Sequence, residues 1–247
     1  TLFRSVARGA AMMSGTTLKD VRLIGTAWPG HFNKIIAETM YANIERVGLP
    51  EWTEDDQRFA RATQGEVGGA QTGLATELGR LRPAPTEAQR TAGYADDIGD
   101  ISWNVPTATL SYPSNMPGLP GHNWANAIAM ATPIAHKGAT QGALAQSMTL
   151  LDFMVRPDLV EAAWDYFRDV QTADLQYTPF IRPTDQPAIE MNAGILDEFR
   201  EDMRQFYYDS DRYDSYLDQL GVSYPTLRQP DGRCTIGSVS EQQGGGS

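Results

Sequence analysis

Nine residues, Pro113 to Gly121 (PSNMPGLPG), carry three prolines and two glycines. Each proline fixes φ and removes an amide donor, so neither a helix nor a strand can run through this segment. The chain must turn here, and the flanking elements arrange themselves on either side. Downstream, Pro133 opens a helix with Leu144, Met148, Leu151 and Val155 at spacings of four, three and four, and with Asp152 and Arg156 on its polar side. Upstream, Ile98 to Trp103 and Thr107 to Tyr112 read as two short strands parted by Pro106. Chemistry-bearing residues gather around the turn, between Tyr94 and Gly138. They are the acids Asp96, Asp97 and Asp100, two of the three histidines, and two of the five tryptophans.

Helical spacing also predicts a helix from Arg4 to Ser14, and another from Phe32 to Val47 with Ile36, Met40, Ile44 and Val47 on one face and Gly48 as its stop. Thr17 to Ile24 alternates and is β-branched, which predicts a strand. Thr53 to Asp56 has the form of a helix N-cap, leading to a helix that ends near Gln64. Gly65 to Gly93 lacks periodicity and reads as a long loop, lid or flexible insert. Pro157 opens a further helix with a wide apolar face. The tail holds Leu196, Phe199, Met203 and Phe206 and a tyrosine-rich acidic turn, and is expected to pack its rings on the domain. These elements predict an α/β (or α+β) chain, rich in helix and poor in strands.

A net charge of −11 argues against nucleic acid and against an anionic membrane surface. No run approaches the ~20 apolar residues of a membrane-spanning helix. The chain reads as soluble, no secretory signal is visible, and its compartment is left open. The single cysteine, Cys234, excludes an internal disulfide framework and a thiolate zinc site. The final GGGS reads as a flexible linker or tag remnant.

No nucleophile elbow, phosphate-binding loop or dinucleotide fingerprint occurs. His122, after the rigid turn and before Asn123, has two readings: a metal ligand, or a loop histidine bonded to backbone. His136 lies where a helix start would favour an anion, with Lys137 beside it, and a packed structural imidazole is the other reading. Asp96, Asp97 and Asp100 are the natural oxygen partners for a divalent ion, zinc first and manganese second. Asp100 is the more specific, since an acid entering an apolar stretch is costly unless paired.

The segments Asp97 to Trp103 (DIGDISW), Gly118 to Trp124, and Ala135-His136-Lys137-Gly138 occur in an order and spacing that resembles the C-terminal part of aminobenzoyl-glutamate hydrolase B subunits. These form a branch of the zinc-dependent amidohydrolases and peptidases that includes carboxypeptidase G and the auxin-conjugate hydrolases. Ala10 to Met13, Asn43 and Gly48 to Trp52 fit the same resemblance. It implies a helix-rich partial catalytic domain completed by oligomerisation. Residues 1–26 would be a remnant of a lid or dimerisation domain, 27–175 the C-terminal part of the catalytic domain with its insert near 65–93, 176–240 an acidic extension, and 241–247 the linker. His122 would be the last metal ligand, with Asp97 and Asp100 lining the site in catalytic or ligating roles and His136 behind it. Trp103, Trp124 and Lys137 would contact substrate. The glutamate pair and further histidines that complete the family's two-metal site have no counterpart here.

Two functions follow as expectations. One is a metal-dependent hydrolase with a reduced metal site of His122, Asp97 or Asp100, joined by His136 or a symmetry mate, promiscuous toward activated ester, amide or phosphoester bonds in small molecules and working as a homodimer. The other is a non-catalytic remnant that self-associates or complements a separate N-terminal half.

Overall fold

The computed structural model describes residues 2–84 and 95–236, leaving aside the side chains of Leu2 and Ile236. Part of the expected insert, Tyr94 and the GGGS end lie outside these residues. In chain order the helices are α1 (Leu2–Met13), α2 (Lys34–Val47), α3 (Glu54–Glu66), α4 (Asp97–Ser102), α5 (Trp124–Met130), α6 (Pro133–Val155), α7 (Pro157–Tyr166), α8 (Ala193–Arg204) and α9 (Tyr216–Gln219). The described residues thus give a helix-rich fold whose one strand ladder is a short hairpin. It pairs β1 (Thr226–Arg228) antiparallel with β2 (Cys234–Ile236).

Several helices begin where polar side chains satisfy their first amides. Asn33 caps α2, accepting from Ile35 and Ile36. Thr53 and Asp56 form a reciprocal capping box on α3. Asn123 caps α5, and prolines occupy the first positions of α6 and α7. Asn33 does more than cap. Its amide group donates to Ala163 O at 2.9 Å and to Gln171 Oε1 at 2.7 Å, and Gln171 donates in turn to His31 O at 2.7 Å. This buried polar lattice fixes the start of α2 against the end of α7, where the helix widens into a π-helical turn, Phe167–Gln171. Farther along, the buried Asn43 bonds Thr149 and Asp152 of α6.

Helices α2, α6 and α7 pack on one another, α5 packs on α6, and α3 packs on β1. A small apolar core of Ala60, Leu74, Met116, Ala129 and Ile134, closed by Trp52, Phe59 and Leu119, sits between α3, α5 and the start of α6. The long helix buries a different face from the one its large residues suggest. Ala135, Gly138, Gly142, Ala145 and Thr149 are inside, while Leu144, Leu151 and Val155 are exposed. The reason is proximity. A Cβ on Gly138 would strike the Pro113 carbonyl and Ser114 Cα, and one on Gly142 would press on the Tyr112 side chain. Small residues let the proline-rich turn lie directly against the helix.

Three expected strands do not form among the described residues. Ile98 to Trp103 is helical instead, because the Asp96 side chain accepts from Gly99 N at 2.8 Å and starts α4. Thr17 to Ile24 and Thr107 to Tyr112 join no ladder among the described residues, although burial alternates from Ala108 to Tyr112 as it would in a strand. A strand requires a hydrogen-bonded neighbour as well as a pattern. The hairpin β1–β2 is not visible in the periodicity, though Pro230-Asp231-Gly232 is a turn signal.

The expectation for the tail divides. Tyr177 and Phe180 lie on Trp28, and Tyr224 lies on Phe59 at 5.2 Å between ring centroids. Phe199, Phe206, Tyr207 and Tyr208 are exposed.

Candidate functional site

His122 stands at the tip of the proline-rich turn with φ of 51°, a left-handed conformation uncommon for a residue with a side chain. The tip is braced from both sides: Asn126 donates to Pro120 O at 2.8 Å, and Asn123 caps α5. The imidazole is exposed and makes no hydrogen bond among the described residues. Trp124, the first residue of α5, is also exposed and lines an open groove with Phe59, Ile128 and Leu227.

Asp97 and Asp100 lie three apart on α4, which places them on neighbouring parts of one helix. Asp97 is exposed and, among the described residues, accepts only from the next amide, Ile98 N, at 3.2 Å. Asp100 is half-buried and accepts from Trp28 N at 3.0 Å. Burial, and then the nearby Asp100 carboxylate, push the Tyr177 phenol upward. Between the two acids, Gly99 lies flat against Trp28, leaving no room for a Cβ beside its carbonyl. Trp103 is 3% exposed, donates to Pro29 O at 2.8 Å and packs on Trp28 and His31. Its surface is therefore spent on the interior.

His136 is exposed on the first turn of α6 and borders two surface depressions, one shared with Thr53 and Lys137, the other with Ser215 and Tyr224. Beneath it lies a cluster whose members are far apart in the sequence. Asp56, 1% exposed, accepts from Lys137 Nζ at 2.6 Å, Tyr224 Oη at 2.9 Å and Thr53 N at 2.9 Å. Burial alone would raise the Asp56 carboxyl. The Lys137 ammonium, the Thr53 amide and hydroxyl, and the Tyr224 hydroxyl outweigh it and hold the carboxyl below its usual value. Tyr224 is pushed strongly upward, first by burial and then by the Asp56 charge. Lys137, expected to touch substrate, is thus engaged with Asp56. Asp56 is legible as a helix cap and Tyr224 as one of many tail tyrosines, but nothing local in the sequence pairs them.

These placements bring His136 and Lys137 together over Asp56, and Asp97 with Asp100 on α4. Among the described residues no three histidine, cysteine or acidic side chains converge in a group able to hold a metal ion. The described side chains therefore do not, by themselves, fit the ligand set of a hydrolytic metal centre. No described helix is long and apolar enough to cross a membrane.

A helix-rich fold with few strands among the described residues agrees with part of an α/β amidohydrolase domain. The chain is 26% identical over 200 residues to the B subunit of p-aminobenzoyl-glutamate hydrolase from Escherichia coli (strain K12), a match covering 70% of this chain and 40% of that protein. The resemblance carried by the motifs is thus a similarity along most of the chain, which spans well under half of its relative's length. No protein-family model matches, and no solved structure gives a significant match.

Proposed function

We propose that the chain is a component of a divalent-metal-dependent amidohydrolase, in which His122 contributes one ligand and the remaining ligands come from outside this one polypeptide. The observation that carries this reading is the similarity over 200 residues to the B subunit of p-aminobenzoyl-glutamate hydrolase. The exposed, braced and unbonded imidazole of His122 supports it, since both ring nitrogens are open to a ligand. Asp97 and Asp100 would line the same site, with zinc or manganese as the ion. Amides of the aminobenzoyl-glutamate type, or activated esters and phosphoesters, would be the substrates. In this reading residues 1–26 belong to a lid, 27–175 to the catalytic domain and 176–240 to an extension, with 241–247 a linker. No hydrolytic step is assigned to this chain's side chains alone.

The lack of a converging ligand group among the described residues favours a second reading, a non-catalytic remnant that self-associates. Elemental analysis of the purified protein after zinc or manganese loading tests the first reading, combined with assays on activated esters, phosphoesters and aminobenzoyl-glutamate. These are run with the chain alone and co-expressed with the N-terminal half of the relative. The expected result is bound metal and turnover that His122→Ala abolishes. Equal metal content and activity in the variant would overturn the ligand role. Absence of both metal and turnover in every combination selects the non-catalytic reading.

A further inference from the structure

A groove of about 520 Å³ runs between the segment 75–82 and the segment 108–113, floored by the apolar side of α2. Met40, Tyr41, Ile44, Leu78 and Leu81 line it, and Arg80 and Arg82 stand along its wall. Neither guanidinium makes an ion pair among the described residues, which leaves a cationic strip on a chain whose net charge is −11. Among the described residues the groove has no apolar occupant bearing acids.

Helix α8 has the opposite lack. It packs chiefly on the 3-10 turn that leads into it, Ile189–Asn192, and its apolar residues Ile195, Leu196, Phe199 and Met203 are about half exposed. At about 3.6 residues per turn these four fall on one stripe. Glu198 and Asp202, four apart, lie together along one flank of it, and neither carboxylate makes an ion pair among the described residues. Arg200 lies along the other flank, and the groove wall also holds Glu77.

The spacings agree. Arg80 and Arg82 lie outside any helix, and residues two apart on extended backbone would be separated by about 6.6 Å. Residues four apart on a helix are separated by about 6 Å along its axis. Arg80 and Arg82 therefore match Glu198 and Asp202 in both sign and interval. We infer that α8 of a second copy of this chain docks in this groove, its stripe on the α2 floor and its Glu198–Asp202 flank against Arg80 and Arg82. A reciprocal exchange about a two-fold axis fills both grooves and covers both helices.

Light scattering across a dilution series, with circular dichroism to verify folding, tests this. A dimer is expected. Phe199→Asp, on an exposed helix face where folding is not at stake, should raise its dissociation constant by about tenfold or more. The double variants Arg80→Glu/Arg82→Glu and Glu198→Arg/Asp202→Arg should each weaken it. Combining all four reversals should restore it toward the wild-type value, as only direct charge pairing does. A wild-type chain that stays monomeric overturns the inference, whether the groove is empty or filled by its own α8. A four-fold reversal no tighter than either double variant overturns it equally.

Discussion

Lys137 places its ammonium 2.6 Å from the buried carboxylate of Asp56, joining the first turn of α6 to the first turn of α3. The acid is closed to water and the lysine is one-third exposed, so the pair is asymmetric. Removing the lysine leaves a buried charge, whereas removing the acid frees a cation that water can reach. Lys137→Met should therefore destabilise the fold by about 2 kcal/mol, the usual cost of orphaning a buried ion being discounted for the lysine's exposure and for the donors Asp56 retains. Asp56→Asn should cost less. Urea unfolding of the two variants at neutral pH measures the difference.

The same carboxyl sets an acid limit. Its value is lowered in the folded protein, so its contribution is complete above the unfolded carboxylate value of about 4 and is lost as pH falls through the lower folded value. Stability of the wild type should fall steeply below about pH 4, and Asp56→Asn should flatten that limb. A pH series of thermal melts on both proteins checks the sign.

Gly138→Ala and Gly99→Ala should be severe, since each Cβ would meet backbone that cannot rotate away: the Pro113 carbonyl in one case and the Trp28 carbonyl in the other. Each should cost about 3 kcal/mol or more. Gly194→Ala, with open space around the Cβ, serves as the control and should be neutral or mildly stabilising. Melting temperatures of the three variants provide the comparison.

Tyr224→Phe keeps the ring on Phe59 but removes a hydrogen bond to a charged acceptor, at about 1.5 kcal/mol. Because the lost contact anchors the chain entering β1, the hairpin should loosen before the helices do. Limited proteolysis should cut the variant around Gln229 to Arg233 faster than the wild type, with the helical circular dichroism signal unchanged.

Helix starts are legible because their signals are local: Thr53 with Asp56 bonds amides within a turn, and Pro133 and Pro157 fix φ at a first position whose amide needs no helical partner. Sheet structure is not. Thr107 to Tyr112 has the alternation of a strand, but a ladder depends on a neighbour that the pattern does not name. Ile98 to Trp103 reads as a strand because its apolar residues outweigh the capping signal of Asp96. The long helix misleads for a related reason: periodicity weighs size, and its buried face is made of small residues. In the candidate site, the exposure and bracing of His122 follow from the prolines and asparagines around it, whereas the engagement of Lys137 with Asp56 depends on partners 81 residues apart.

The Asp56 cluster also bears on the order in which the chain can become native. Its last member, Tyr224, lies 168 residues beyond the acid it bonds. Contacts of such separation carry the largest loop-closure cost and form late. During synthesis α3 and α6 emerge and can pair through Asp56 and Lys137 while Tyr224 is still to be made. Until it arrives one oxygen of the acid is unbonded to it and the Phe59 ring uncovered. The tail hairpin thus acts as a closing step, and a ribosome-bound chain halted before Tyr224 should display that ring to whatever apolar surface it meets first.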